Sequence, residues 1–136
     1  MISKSTGRNG REIMLDTNVV LAFMHNEQKT ALRLKQYSDY DFYISSLVYV
    51  EVLAGALLHR KADTRKYLKS FLLKPFDQAA SAVANQLSSK YLFDKSSKPY
   101  DLLIAAHALS LKCPIITSNT KDYTFSRLKV VDFNVL

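Results

Sequence analysis

Short apolar runs that alternate with longer helical segments constrain the fold of this chain more than any other feature of its sequence. The clearest runs lie at residues 13–15, 41–44, 114–117 and 129–133, and a weaker one lies at 73–76. They have the length of buried strands, whereas the segments between them are long enough for helices. Strands that alternate with helices form mostly parallel sheets covered by helices on both faces. We therefore predict an α/β fold of this kind.

Six helical segments are expected between these strands. They are predicted at residues 18–25, 29–37, 47–58, 64–72, 78–91 and 101–111, with a loop at 94–99. In the second of these helices the spacing predicts that the apolar side chains point inward, namely those of Ala31, Leu32, Leu34 and Tyr37.

The composition fits one globular domain. The chain has 136 residues, of which 48% are hydrophobic, enough for a substantial core. Residues 1–11 are polar and lack apolar periodicity, so we interpret them as an arm or a non-native remnant before a single domain at 12–136. No apolar run approaches the roughly 20 residues that cross a bilayer. The single cysteine, Cys113, suits a reducing compartment, so we expect a cytoplasmic protein without a membrane span.

The net charge of +7 is concentrated in one part of the chain. Between residues 59 and 98, nine Lys or Arg residues face three Asp residues, which gives that stretch a charge of +6. Such a cluster indicates either a nucleic-acid surface or an ordinary solvated helix face, and the charge alone does not separate them. Tyr100 and Tyr123 lie near acidic residues and could stack on bases, but packing is the expected role of both. The candidates for contacting phosphates are Arg60, Lys61, Arg65, Lys66, Lys69, Lys95 and Lys98.

Glu51 lies in the most apolar helical segment of the chain, residues 47–58. Apolar residues surround it at every helical position, which predicts that this helix is buried on nearly every side. An ionised carboxylate in such a place is costly unless it is paired with a cation or bound to a metal. For Glu51 taken alone, a buried Arg or Lys partner, a narrow hydrated seam and a metal all remain open.

Asp16 and Asp101 both precede strongly apolar helical segments, so each alone is explained as an N-cap. Together with Glu51, however, they map to the edge of the predicted sheet where the carboxyl ends of the strands meet and active sites collect. Three converging carboxylates without matching cations require a positive charge, and we expect them to lie within reach of one ion. Because no His or Cys accompanies them at ligand spacing, Mg²⁺ or Mn²⁺ is favoured. Such an ion beside a basic surface predicts phosphodiester hydrolysis.

Four stretches of the sequence resemble, in order and approximate spacing, the motifs of the PIN-domain ribonucleases. They are MLDTNVV, SSLVYVEVLAG, PYDLLIAAHAL and IITSNTKDY, and they are most similar to those of the VapC toxins of VapBC toxin–antitoxin pairs. The resemblance extends from about residue 13 to the C-terminal end. It implies a three-layer α/β/α fold and Mg²⁺- or Mn²⁺-dependent cleavage of RNA. The chain is thus expected to be the endoribonuclease toxin of a type II toxin–antitoxin system.

The resemblance also implies which residues form the site. The metal-binding acids of the family fall on Asp16, Glu51 and Asp101, which would hold an ion that activates water, so that neither the ribose 2′-hydroxyl nor a histidine pair is needed. A fourth acid often follows the last core strand, and the candidates at that place are Asn119 and Asp122, beside the hydrogen-bonding neighbour Thr117. Asn119 is able to ligate through its carbonyl oxygen or to orient a bound water. Whether one or two metals bind stays open.

The partners implied by the resemblance are RNA, an antitoxin and a second copy of the chain. The expected substrate is tRNA or ribosomal RNA, the expected inhibitor is a VapB-like antitoxin that inserts a helix and a basic residue into the site, and the toxin usually forms a homodimer. Two other classes remain open. One is a PIN nuclease that acts in RNA processing without being a toxin, and the other is a catalytically inactive α/β module that binds RNA or protein.

Overall fold

A parallel sheet lies at the centre of the computed structural model, which describes residues 11–90, 99–125 and 127–136. Its five strands are β1 Glu12–Leu15, β2 Asp41–Ser45, β3 Leu72–Lys74, β4 Ile115–Thr117 and β5 Val130–Asp132. They follow the order β3-β2-β1-β4-β5, and every neighbouring pair is parallel. The predicted parallel sheet is confirmed, and β1 is its central strand.

Six α-helices within the described residues connect the strands and cover both faces of the sheet. They are α1 Thr17–His25, α2 Glu27–Arg33, α3 Ser46–Gly55, α4 Lys61–Leu68, α5 Gln78–Lys90 and α6 Pro99–Ser110. Strand β2 shows the layering, because residues at odd and even positions of a strand point to opposite faces. Phe42 meets Phe23 of α1 on one face, with ring centroids 5.9 Å apart, whereas Ser45 meets His107 of α6 on the other. This is the three-layer α/β/α arrangement.

The central strand is buried from both sides. Ile13, Met14 and Leu15 have no exposed surface, as expected for a strand between two helical layers. The main hydrophobic cluster surrounds them, and a smaller one that includes Leu87 and Leu102 lies between α5 and α6. In the part of the chain that the structure describes, no helix is long and apolar enough to cross a membrane.

Helix α3 is largely exposed, so the prediction that it is buried on nearly every side is wrong. Only Val48 and Val52 are buried, whereas Val50 is 62% exposed and Glu51 is also exposed. The helix packs on α1, α4 and the neighbouring strands along one face only. An all-apolar sequence does not distinguish a helix inside the core from one whose outer apolar face is left uncovered.

Helix α2 begins earlier and ends earlier than predicted. It starts at Glu27, after the cap residue Asn26, and a separate 3-10 turn follows it. Its burial pattern also differs from the predicted one, because tertiary packing decides which side of the helix faces the core. Leu34 is buried as expected, but Ala31 and Leu32 are exposed, so their predicted inward positions are wrong.

One explanation of the sequence made Asp101 the N-cap of its helix, and this explanation is wrong. Helix α6 begins at Pro99. Proline is favoured at the first helical position because an N–H there would have no acceptor within the helix, so nothing is lost by its absence. Asp101 therefore lies within the first turn of α6. Helices α3 and α4 also begin and end a few residues before their predicted bounds.

Some predictions fall on residues outside those that the structure describes. These are the polar arm up to residue 10, the end of the fifth predicted helix at residue 91, the loop at 94–98, and the phosphate-contacting candidates Lys95 and Lys98. They remain predictions.

His107 is a buried polar residue that joins α6 to the sheet. It is 1% exposed, and its Nδ1 lies 2.8 Å from Ser45 Oγ. Burial lowers the pKa of His107, and nearby Lys74 adds to this effect, while Asp77 and a hydrogen bond with the backbone of Pro75 oppose it. The folded chain therefore disfavours the protonated imidazole.

This burial predicts a pH-dependent stability. Between the lowered pKa of His107 and its ordinary value of 6.5, the unfolded chain binds more protons than the folded one. The free energy of unfolding should therefore decrease as the pH falls below about 6.5. The His107→Asn variant removes this titration, so urea unfolding at several pH values should give a flatter profile than the wild type does. Equal slopes for the two proteins would show that another group titrates.

Candidate active site

Three polar residues lie where neighbouring strands of the sheet reach their carboxyl ends. Asp16 follows β1, Ser45 ends β2 and Thr117 ends β4, so neighbouring strands carry these side chains at their carboxyl ends. Parallel strands place such residues along a common rim, where α/β proteins bind their ligands. All three residues are buried, so this rim holds polar groups away from bulk water.

The Asp16 carboxylate is 5% exposed, and both of its oxygens accept hydrogen bonds. Oδ1 accepts from the Thr17 N–H and Oδ2 from the Thr117 hydroxyl, each at 2.8 Å. Asp16 is the N-cap of α1, as one explanation of the sequence had it, and it also faces the rim. Burial raises the pKa of Asp16, the hydrogen bonds from Thr117 and Thr17 oppose the increase, and the nearby charge of Glu51 adds to it.

Glu51 is connected to Asp16 through Thr17. Its Oε2 accepts from the Thr17 hydroxyl at 2.9 Å, and the Tyr100 hydroxyl lies 3.3 Å from the same Thr17 oxygen. The Thr17 hydroxyl therefore gives its one proton to Glu51, and Tyr100 lies next to both of these groups. Burial, followed by the interaction with Glu51, raises the pKa of Tyr100 above its usual range, so this hydroxyl stays neutral.

Asp101 reaches the same rim from the first turn of α6. Its Oδ1 accepts from the Tyr123 hydroxyl at 3.3 Å, and Tyr123 is 2% exposed. Burial, followed by the charges of Asp16 and Asp101, raises the pKa of Tyr123 far above its usual range. The predicted packing role of Tyr123 is therefore confirmed for its ring, while its hydroxyl is a neutral donor between two acids.

The hydrogen-bond donors described above are hydroxyl and amide groups, and all of them are neutral. Among the described residues, no Lys or Arg forms an ion pair with Asp16 or Glu51. The explanation of Glu51 by a buried cationic partner thus fails for this part of the chain. Neutral donors stabilise a carboxylate without balancing its charge, so within the described residues the charges of Asp16 and Glu51 are not balanced by a cation.

The donor atoms at the rim suit a hard divalent ion, because they are carboxylate oxygens without His or Cys. Across residues 11–90, 99–125 and 127–136, however, no three His, Cys, Asp or Glu side chains already form a metal-binding group. The expected trio within reach of one ion is therefore not preassembled. An ion that binds all three would have to bring these carboxylates into one coordination shell.

The two candidates for a fourth site residue differ in how they connect to the acids. The Asn119 N–H donates to the Thr117 hydroxyl at 3.0 Å, and this hydroxyl donates in turn to Asp16. Asp122 lies in the following 3-10 turn, where its N–H donates to the Asn119 carbonyl at 3.0 Å. Asn119 is thus the candidate joined to Asp16 through Thr117, which is the hydrogen-bonding neighbour that the resemblance implied.

Basic residues and an open groove lie next to Glu51. Arg65, Lys66 and Lys69 are exposed on α4 or at its end, whereas Lys61 donates to the Leu53 carbonyl at 2.6 Å and so is engaged at the end of α3. The groove has a volume of about 540 Å³. Among the residues that line it are Thr17, Leu21, Glu51, Val52, Leu57 and Arg60.

Thr117 was predicted as a hydrogen-bonding neighbour at the site, but the Thr17 hydroxyl was not predicted, and Tyr100 and Tyr123 were expected mainly to pack. Thr17 lies inside the Asp-Thr-Asn motif and Tyr100 precedes Asp101, so their positions beside carboxylates were a signal that could have been used. The contact between Tyr123 and Asp101 had no such signal. It depends on the 3-10 turn at Thr120–Asp122, which the sequence did not predict.

The chain is similar to known proteins over most of its length. Residues 13–131 match the PIN domain family. Ribonuclease VapC from Rickettsia bellii is 33% identical to this chain, and the alignment covers 82% of this chain and 87% of the relative.

Solved structures share the fold over nearly the whole chain. DNA-bound VapBC from Salmonella typhimurium aligns with a TM-score of 0.74 and 23% identity, and the alignment covers 90% of this chain and 98% of that one. A toxin–antitoxin complex from Klebsiella pneumoniae aligns with a TM-score of 0.72 and 25% identity over 89% of this chain and 97% of that one. With the match over residues 13–131 and the VapC relative, these likenesses confirm the resemblance seen in the sequence motifs: the chain belongs to the PIN-domain family, among the VapC ribonucleases.

Proposed function

We propose that the chain is a Mg²⁺- or Mn²⁺-dependent endoribonuclease and the toxin of a VapBC-type pair that acts in the cytoplasm. The observation that carries the proposal is the carboxylate of Asp16, which is buried among neutral donors beside Glu51 and Tyr123 and has no Lys or Arg partner in the described residues. Excess negative charge in a chain of net charge +7 favours the binding of a cation at this place.

The proposed ligands of the ion are Asp16, Glu51 and Asp101. A divalent ion bound there would lower the pKa of a water molecule and stabilise charge on the leaving oxygen. The chain itself orients the ligands, since Thr17 donates to Glu51 and Thr117 donates to Asp16. We assign Asn119, rather than Asp122, as the residue that completes the site, because its backbone is hydrogen-bonded to the group that holds Asp16.

RNA is the proposed substrate, with tRNA or ribosomal RNA as the favoured class. The exposed cations of α4 offer contacts to phosphates near the groove that contains Glu51. The proposed set is Arg60, Arg65, Lys66 and Lys69, with Lys61 next to them and Lys95 and Lys98 beyond the described residues.

The uncovered apolar face beside the site supports a protein partner. Val50, Leu57 and Leu58 are 62%, 64% and 85% exposed, and Leu57 lines the groove together with Glu51. Exposed apolar surface of this kind marks interaction sites, and an amphipathic helix is a common occupant of such grooves. We propose a VapB-like antitoxin as the occupant, and a homodimer as the form of the toxin.

The first prediction is that cleavage requires both the ion and the three acids. Asp16→Asn, Glu51→Gln and Asp101→Asn should each fold, because Asn is as good a cap as Asp and the other two changes keep the side-chain size. Each should lower the rate by at least about a hundredfold, since several kcal/mol of transition-state stabilisation disappears. Cleavage of labelled RNA, measured with Mg²⁺ or Mn²⁺ and after chelation, checks this.

Asp63→Asn is the matched control for these variants. Asp63 is an exposed acid on α4 away from the rim, so its amide variant should cleave at the wild-type rate. Cleavage that persists in chelator would contradict the metal requirement. Binding of RNA without cleavage under any ionic condition would favour the inactive binding module.

The second prediction concerns Glu51, which the sequence left with three explanations. In the absence of metal, Glu51→Gln should be at least as stable as the wild type, because the amide removes the repulsion with Asp16. Mn²⁺ should raise the melting temperature of the wild type, since a ligand that binds only the folded state stabilises it, but most of this rise should be absent in Glu51→Gln. A full Mn²⁺ response in the variant would remove Glu51 from the ligand set.

The third prediction separates phosphate binding from general charge. In an inactive Asp16→Asn background, Arg65→Glu with Lys66→Glu should weaken RNA binding. The slope of log affinity against log salt should become shallower by about one for each phosphate that the protein no longer neutralises. Lys29→Glu with Lys35→Glu makes the same change in net charge at exposed positions of the α2 region. Equal effects of the two pairs in filter-binding titrations would mean that α4 is only a solvated helix face.

A further inference from the structure

The hydroxyl of Tyr123 is a buried polar group whose position is explained by the acidic rim. The residue is 2% exposed, and its ring belongs to the main hydrophobic cluster. A phenylalanine would fill the same space in that cluster. The hydroxyl itself donates to Asp101 Oδ1 at 3.3 Å, and Asp16 is close enough to influence it as well. What tyrosine adds at this position is therefore a donor between two carboxylates.

The backbone fixes the position of this donor. After β4 the chain makes a 3-10 turn at Thr120–Asp122, in which the Tyr123 N–H donates to the Thr120 carbonyl at 3.0 Å. The same segment is tied to the rim by the bond from the Asn119 N–H to the Thr117 hydroxyl. A buried ring at the end of a hydrogen-bonded turn has few alternative rotamers, so the hydroxyl is held in one place.

A fixed neutral donor beside two acids affects both the repulsion between their charges and the freedom of the carboxylate to rotate. Asp16 and Asp101 belong to different elements, the start of α1 and the first turn of α6, and their charges repel each other. A hydroxyl that donates to Asp101 while Asp16 is nearby reduces this repulsion and limits the rotation of the Asp101 carboxylate. In metal sites, groups that hydrogen-bond to the ligands orient them in the same way.

We propose that Tyr123 is a positioning residue that holds Asp101 near Asp16 and thereby prepares both carboxylates for a divalent cation. The inference deepens the proposed function and rests on it. It differs from the family resemblance in concerning a residue that this resemblance did not assign to the site. Tyr123 touches the proposed ligands and not the reacting atoms.

The test compares Tyr123→Phe with the wild-type chain by calorimetric titration with Mn²⁺. Removal of the hydroxyl leaves the ring in place and should weaken Mn²⁺ binding by about tenfold, the lower end of the effect of removing a group that orients metal ligands. Tyr67→Phe is the matched control, because the Tyr67 hydroxyl is also buried in part and donates to an acid, Glu27, at 2.9 Å, with the Phe23 carbonyl 3.2 Å away. This variant should melt at a lower temperature and bind Mn²⁺ as the wild type does.

A merely structural role for the Tyr123 hydroxyl predicts a different pattern. Tyr123→Phe would then resemble Tyr67→Phe, with a lower melting temperature and unchanged Mn²⁺ affinity, and that result would overturn the proposal while leaving the proposed function intact. Absence of Mn²⁺ binding by the wild type would overturn both.

A measurement on the wild type keeps the proposal testable if Tyr123→Phe folds poorly. In a chain labelled with ¹³C at the phenolic carbon of tyrosine, Mg²⁺ should shift the resonance of Tyr123, whose hydroxyl contacts a ligand, and leave that of Tyr67 in place. A Tyr123 resonance that ignores saturating Mg²⁺ would overturn the assignment.

Discussion

The structure depends on the buried carboxylate of Asp16, which directly follows the central strand β1. β1 is covered on both faces, so the chain leaves it at a point screened from water, and Asp16 is the residue at that point. One of its oxygens caps α1 by accepting a hydrogen bond from the Thr17 N–H. The other accepts a hydrogen bond from the Thr117 hydroxyl at the end of β4. The side chain that joins the central strand to its helix and to its neighbour is thus also the centre of the acidic rim.

Neutral donors at the rim leave room for a cation in a way that Lys or Arg would not. A basic side chain beside Asp16 or Glu51 would balance the charge permanently and occupy the place of an ion. Hydroxyl groups such as those of Thr17 and Thr117 orient the carboxylates without cancelling their charge. Described cations such as Arg65, Lys66 and Lys69 lie instead on the exposed surface of α4 or at its end, where they can contact a polyanion.

The sequence predicted the parts of the structure that follow from local periodicity and strand ends. Asp16 and Thr117 follow or end buried strands, so their place on one rim followed from the parallel sheet alone. Predictions failed where tertiary contacts decide the outcome. The apolar pattern around Glu51 is the same for a core helix and for one with an uncovered face, and the start of α6 at Pro99 moved Asp101 from the cap into the first turn. The contact of Tyr123 depends on a turn that has no periodic signal.

The exposed face of α3 relates the acidic rim to the apolar surface beside it. Glu51 and Val50 are consecutive on this helix, so the residue that accepts from Thr17 is next to one that is 62% exposed. Burial of that apolar face would be favourable by about 25 cal/mol for each Å² removed from water. A partner that covers it must also approach the groove in which Glu51 lies. Stabilising contact with α3 and restricted access to the acids are therefore coupled by geometry.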